Sequence, residues 1–379
     1  MLIRYYGHVG CGTGYGDAAN EMCMSLLSAG AELEIATDGK RLSGGYLPLV
    51  KCVKDQAAMR HPDVVVVHTL PVSCGEVFER LGPLWKGPNA PAFVAYTTWE
   101  GDGQISPQVA HALIDYDQIW VPCRANKASM RHMNNVVVIP HAFDEAQPRT
   151  PPRAVEPGET YRFYYIGAWC ARKNPRGLIH AYMAEFTADD NVELVMLCAG
   201  ASPQDAVMAQ LETGIAPREI WPRLRFITER VDDDGLVRMH TDNHCFVTAT
   251  RGEAWNLPAF QAMLAGRLVI APCGLGSDDY LREKSEVLLY GSQRMPALGD
   301  VRTVAAPDGI RATYVGPQGM TAHDAWREPS LYELGMCMRT AATKRVSVVA
   351  TEYDVAGRFG RKAVGRLAMD ALTELLKEK

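Results

Sequence analysis

The 379-residue sequence predicts an α/β protein built from two doubly wound parallel domains. Three observations carry this. Short apolar runs alternate with helical segments, and the alternation restarts after residue 157. Asp63–His68 is a β-branched run of the kind found in parallel strands buried on both faces. Residues 147–157 hold Pro148, Pro151, Pro152 and Pro157, as an interdomain linker would.

In the first half, Leu2–Tyr6 reads as the first strand. The glycine-rich turn GHVGCGTGYG follows, and Asp17–Ala29 is a helix ended by Gly30. Glycines let the backbone approach a ligand, and a helix N-terminus favours anions. Gly10, Gly12 and Gly14 do not make a clean dinucleotide fingerprint, and Asp38 is the nearest acid at the end of the second strand, Ala31–Ala36. Leu49–Arg60 reads as a helix. His68 ends the valine strand, where ligand groups collect. Ala92–Thr97 is a strand, and Trp99, Glu100 and Asp102 leave its carboxyl end. Ser106–Tyr116 and Ala125–Met133 are helices; Gln118–Val121 and Val136–Ile139 are strands.

In the second half, Tyr161–Ile166 is a strand leading to the loop Gly167–Pro175. There Asn174 caps a helix and Pro175 opens it. Arg172 and Lys173 beside that helix start make an anion site suited to a diphosphate. Val192–Cys198 is a strand, and Pro203–Glu212 a helix. Leu224–Thr228 is a strand ending beside Arg230, and Asp232–His240 a helix. Then comes TATRGEAWNLPAFQAMLAGRLVI: strand end, a loop holding Glu253, a helix from Asn256, and a strand at Leu268–Ile270. Alone, this is equally an ordinary β-loop-α unit with a surface glutamate. Glu286–Tyr290 is a strand, residues 291–326 read as irregular, and Pro329–Thr343 is a helix. The last helix runs from Asp354 to Leu376, with Arg358, Arg361, Lys362 and Arg366 on one face.

Composition narrows the classes. Hydrophobic content of 47% and charged content of 22% are those of a globular chain. Acidic side chains outnumber basic ones, 44 to 39, against a dedicated nucleic-acid binder. The ten cysteines include no CxxC pair and no zinc spacing, which implies reduced thiols and a cytoplasmic setting. No signal peptide and no apolar run of membrane-spanning length is expected.

Taken in order, these motifs resemble the GT-B retaining glycosyltransferases, the nucleotide-sugar group (family 4 type) that includes bacterial glycogen synthase and many mannosyltransferases. The resemblance rests on GCGTGYG, IWVPC, IPHAFD, IGAWCARKNP and RGEAWNLPAFQAMLAGRLVI. It implies two Rossmann-like domains facing across a cleft: residues 1–150 on the acceptor side, 151–350 for the nucleotide sugar, and 351–379 as a helix returning to the first domain. It implies transfer from a UDP- or GDP-sugar to an acceptor hydroxyl of a saccharide or glycoconjugate, without a metal or a further cofactor. Glu253 would contact the sugar, and Arg172 and Lys173 the leaving diphosphate. Gly12, Thr13, Gly14 and Tyr15 would approach from the first domain. Gly167, Arg230, Asn256, Leu257, Pro258 and Gln261 would hold the donor, and Glu100, Asp102 and His68 the acceptor. The chain departs from the family at Ala168, where an arginine is usual; at Gln261, usually a second glutamate; at Ala142, usually glycine; and at Trp99, where a histidine is common. Three alternatives follow: a non-catalytic binding protein, a sugar epimerase on the same fold, and a transferase acting on a hydroxylated DNA base through the basic face of the last helix.

Overall fold

The computed structural model describes residues 1–36, 47–54, 59–85, 87–147, 154–215, 217–281, 288–296, 300–306, 309–315, 325–346 and 354–379. Asp38 and the linker residues Pro148, Pro151 and Pro152 lie outside them. The chain divides into two units, residues 1–147 with 318–320 and 353–379, and residues 148–317 with 321–352.

The first unit is a six-stranded parallel sheet in the order β2-β1-β3-β4-β5-β6. Its strands are β1 (Leu2–Gly7), β2 (Glu32–Ala36), β3 (Val64–His68), β4 (Ala92–Tyr96), β5 (Gln118–Val121) and β6 (Val136–Val138). The helices between them are α1 (Gly14–Ser28), α2 (Leu47–Val50), α3 (Pro71–Leu81), α4 (Pro107–Leu113) and α5 (Arg124–Ser129). Strand order reverses between β1 and β3, the switch point where open α/β sheets bind ligands. All of β3 is buried, which is why its valines show no polar alternation.

Two helical expectations change. The helix read at Leu49–Arg60 stops at Val50, because the next residues pair with the edge of β2: Ile35 N–H donates to Cys52 O (2.8 Å) and Val53 bridges Ile35. Helix α3 is not among the expected elements, although Pro71, Cys74, Phe78 and Leu81 recur at helical spacing; it buries Pro71, Cys74 and Leu81.

The second unit repeats the plan. Strands β7 (Tyr161–Ala168), β8 (Val192–Ala199), β9 (Arg223–Ile227), β10 (Cys245–Val247), β11 (Leu268–Pro272) and β12 (Leu288–Tyr290) form a sheet in the order β12-β11-β10-β7-β8-β9. Its helices are α6 (Pro175–Glu185), α7 (Pro203–Glu212), α8 (Asp233–Thr241), α9 (Leu257–Leu264) and α10 (Asp278–Leu281). The switch point lies between β7 and β10. The segment read as irregular contains strands instead. β13 (Ser292–Pro296) pairs antiparallel with β16 (Ala325–Pro329), and β14 (Asp300–Ala306) with β15 (Gly309–Val315), before α11 (Leu331–Lys344).

The C-terminal helix is two helices, α12 (Val355–Phe359) and α13 (Arg361–Glu378). Gly360 is extended between them because Phe143 N–H donates to Phe359 O (3.0 Å) and Arg361 N–H to Phe143 O (3.1 Å). Helix α13 then packs on α1 within the first unit. A Cβ at Gly365 would lie 2.1 Å from Ser25 O, so only glycine allows this approach. The expected basic face is thereby broken. Arg361 is turned inward, its Nε and Nη2 on Glu21 (2.7 and 2.8 Å) and Nη1 on Asp144 (2.5 Å), and Arg358 belongs to a different helix.

Candidate functional site

In the second unit, the loops leaving β7 and β10 flank the switch point, and the sequence explains their shape. Asn174 caps α6 and Asn256 caps α9, both left-handed (φ +51° and +66°), where asparagine is tolerated better than most residues. Each side chain accepts a hydrogen bond from the helix it starts, Gly177 N–H at 3.2 Å and Ala259 N–H at 3.4 Å. A proline follows within the first turn of each, where the missing N–H costs nothing. Gly167 is glycine for packing: a Cβ there would meet the Tyr165 hydroxyl at 2.3 Å.

These loops bring Arg172, Lys173 and Glu253 together. Glu253 is buried, with Oε1 2.5 Å from Lys173 Nζ and 3.0 Å from the Thr250 hydroxyl that donates to it. Its Oε2 lies 3.4 Å from Arg172 Nη1, which also donates to Gly252 O at 2.6 Å. Burial alone would raise the Glu253 carboxyl; Lys173 and Arg172 outweigh it and hold the pKa below the usual range. The three side chains leave one positive charge beside the start of α9. Asn256, Leu257 and Pro258 form that start, with the Tyr280 hydroxyl against the Trp255 and Asn256 carbonyls (2.8 and 3.0 Å). Gln261 is exposed on the second turn, and Arg230 is exposed after β9. Neither is drawn into the cluster through any contact among the described residues.

In the first unit, Thr13 caps α1 by accepting from Gly16 N–H (3.1 Å). Gly12 and Gly14 are exposed; the tight positions are Gly10, with φ +78°, and Gly16, whose added Cβ would sit 1.8 Å from Cys11 O. Tyr15 reaches across to the loop after β4, its hydroxyl 2.6 Å from Thr98 Oγ1. Burial, then the Glu100 charge, raises the Tyr15 pKa, so Glu100 and Tyr15 are neighbours. Glu100 and Asp102 are half-buried. Trp99 is buried, its backbone N–H and C=O both bonded to the Asn126 amide (2.8 and 2.7 Å), so it is a scaffold residue.

His68 is not an open acid or base. It is fully buried, its Nδ1 2.5 Å from the Tyr5 hydroxyl and its ring stacked on Tyr96 at 4.2 Å. Burial, then His141 and His8, pull its pKa well below 6.5. The sequence does not single out His141, whose Nδ1 lies 2.9 Å from the Tyr96 hydroxyl. That hydroxyl donates to Ile139 O (2.9 Å), so His141 carries its proton on Nδ1. Both histidines sit where the chain leaves a strand, the one signal by which they could be paired.

No helix among the described residues is long and apolar enough to cross a membrane, and no group of metal-ligating side chains occurs among them. No family model matches the sequence, and no curated protein sequence does. Solved structures do. HepE of Anabaena, solved in complex with UDP and glucose, is 12% identical with a TM-score of 0.64 over 99% of this chain and 100% of its own. Sucrose-phosphate synthase of Thermosynechococcus elongatus is 14% identical, TM-score 0.60, over 99% and 95%. The lipopolysaccharide outer core galactosyltransferase WaaB is 13% identical, TM-score 0.57, over 99% of each chain. The protein thus has the GT-B type of fold, two Rossmann-like parallel-sheet units in succession, as its sequence leads one to expect.

Proposed function

We propose that the protein is a retaining, metal-independent glycosyltransferase. It moves a sugar from a UDP- or GDP-linked donor to a hydroxyl of a saccharide or glycoconjugate. The observation that carries this reading is the Arg172–Lys173–Glu253 cluster at the switch point of the second unit. The fold shared with HepE, whose structure holds UDP and glucose, supports it.

Transfer breaks the bond between the anomeric carbon and a phosphate oxygen, and the diphosphate keeps the electron pair; the acceptor oxygen bonds the anomeric carbon on the same face, and its proton passes to the leaving phosphate. Fixed cations and N–H dipoles aimed at that growing charge lower the barrier. Arg172, Lys173 and the α9 start supply them. Lys173 has three N–H donors, so it can serve Glu253 and a phosphate oxygen together. Glu253, ionised throughout the neutral range, accepts from donor-sugar hydroxyls. Gly167, Arg230 and Gln261 take the nucleoside side, and Gln261 offers ribose an uncharged amide. Gly12, Thr13, Gly14 and Tyr15 approach the phosphates or acceptor; Glu100 and Asp102 handle the acceptor hydroxyl. His68 contributes only as a neutral hydrogen-bonding group. No DNA acceptor is proposed, since Arg361 is spent on Glu21 and Asp144.

The test is a panel of UDP- and GDP-sugars with saccharide acceptors, read by nucleotide release and by the anomeric configuration of the product, with and without chelator. Transfer with retention, unaffected by chelator, is expected. Tight nucleotide binding without turnover on any acceptor would assign a binding protein instead.

A further inference from the structure

We propose that Arg251 is a positioning residue for the Arg172–Lys173–Glu253 cluster, and that Glu328, carried in on the β13–β16 pair, holds it in place. The inference rests on the transferase reading of that cluster. Arg251 touches two separate segments, 171–172 and 327–328. Its Nε and Nη2 donate to both Glu328 carboxylate oxygens, at 2.6 and 3.0 Å. Its Nη1 donates to Ala171 O at 2.7 Å, and its backbone N–H to Arg172 O at 2.7 Å. Its own carbonyl accepts from Arg327 N–H at 2.9 Å. The loop that presents Arg172 and Lys173 is therefore fastened to the loop that presents Glu253 through one side chain and its backbone.

The strand pair is itself anchored at the same end of the sheet. The Arg327 guanidinium donates to Ser292 Oγ (2.9 Å) and Ser292 O (3.1 Å), and the Ser292 hydroxyl donates to Cys273 O (2.7 Å) just after β11. Gly274, left-handed at φ +86°, leaves room for Arg327, since a Cβ there would meet its Nε at 2.6 Å. A two-point fork onto a carboxylate fixes both the position and the plane of a guanidinium, which an ammonium cannot reproduce. Glu328 also sets the local charge. With it, Arg172, Lys173 and Arg251 face two carboxylates and leave a single positive charge. Without it the cluster gains a second, which favours a nucleoside diphosphate in the ground state while the loops lose their alignment. Positioning thus predicts that kcat and diphosphate affinity move apart.

The experiment uses Arg251→Lys, Glu328→Gln and the double variant of the full chain. The readouts are steady-state transfer, UDP or GDP inhibition constants, and hydrogen exchange of the 169–176 backbone. Each single variant should lose roughly 10- to 100-fold in kcat, the scale of an ångström-level misplacement. The double should be no worse than the worse single, as for two residues acting through one bond. Glu328→Gln should bind the diphosphate at least as tightly as the native chain, and exchange at 169–176 should quicken about tenfold or more. Native kcat in both singles, additive losses in the double, or unchanged exchange would overturn the proposal. If the native chain transfers no sugar, the transferase reading fails; exchange and diphosphate affinity then decide the positioning claim alone. Should Glu328→Gln not fold, Arg251→Lys, which keeps the charge, tests the same claim through exchange and inhibition.

Discussion

Glu253→Gln tests the site where its chemistry and its stability meet. The substitution keeps size and one acceptor but removes the Glu253 charge from Lys173 and Arg172, whose side chains are only 17% and 13% exposed. Breaking a buried pair by removing one partner costs about 3–5 kcal/mol. The residual exposure and the remaining amide oxygen reduce this, so about 2–3 kcal/mol is expected. At about 2–4 °C per kcal/mol for a unit of this size, Tm should fall by roughly 4–12 °C. A bound diphosphate would restore the missing negative charge. The shift on adding UDP or GDP should therefore be larger in the variant than in the native chain, where a saturating ligand at 100 times Kd contributes about 2.7 kcal/mol. Thermal melts with and without nucleotide, at matched saturation, measure both effects. A variant that melts lower but gains no more from nucleotide than the native chain refutes the claim that these cations await a diphosphate.

Lys173→Ala should lower kcat/KM for transfer by roughly 100- to 1000-fold, the usual loss when one donor to a developing charge is removed, and a native rate would remove Lys173 from the site. Arg361→Ala should destabilise the first unit by about 2–4 kcal/mol in urea, because Glu21 and Asp144 would lose the cation they share; an unchanged midpoint would mean the pair is only decorative. Gly365→Ala should cost about 1–3 kcal/mol, as its methyl would have to displace the Ser25 carbonyl 2.1 Å away and push α13 off α1; an unshifted melt would show that the helices are not in close contact.

What the sequence discloses follows from how local each signal is. The β3 valines declare a doubly buried strand because four apolar branched residues in a row have no other use. The Asn174-Pro175 and Asn256-Leu257-Pro258 starts are legible because capping chemistry lies within three residues. Helix α3 is overlooked although Cys74, Phe78 and Leu81 recur at helical spacing, because it is short and carries Gly75 in its middle. The break at Gly360 depends on Phe143, more than two hundred residues earlier, and no local pattern reports it. In the site, loop position is enough to nominate Glu253 and its two cations. It does not reveal the fork between Arg251 and Glu328, whose partner lies in strands that carry no clear alternation. His68 misleads for the same reason: its depth is set by Tyr5, Tyr96 and His141, each from another strand or strand end.

The buried histidines make a prediction of their own. Burial lowers His141 to about 3 and His68 well below 6.5. His240 goes to about 4, where burial outweighs the opposing Gln261 contact and Arg267 adds to the shift. In the unfolded chain each takes up a proton below about 6.5. The unfolded state therefore binds more protons, and stability falls as pH falls, by about 1.4 kcal/mol per pH unit for each histidine. Three together give roughly 4 kcal/mol per unit once pH is well below 6.5, two of them from the first unit. Carboxylates held low by ion pairs, Glu253, Glu34 and Asp190, lose their contribution only below about 4.3, where unfolded glutamate and aspartate begin to protonate. Acid unfolding should thus begin through the histidines, near pH 6, before any carboxylate is involved. Urea midpoints from pH 7 to pH 5 measure the slope. His141→Gln, whose amide can still donate to the Tyr96 hydroxyl, should remove about a third of it. A flat profile above pH 5, or an unchanged slope in the variant, would show that these imidazoles are already solvated and charged in the folded chain.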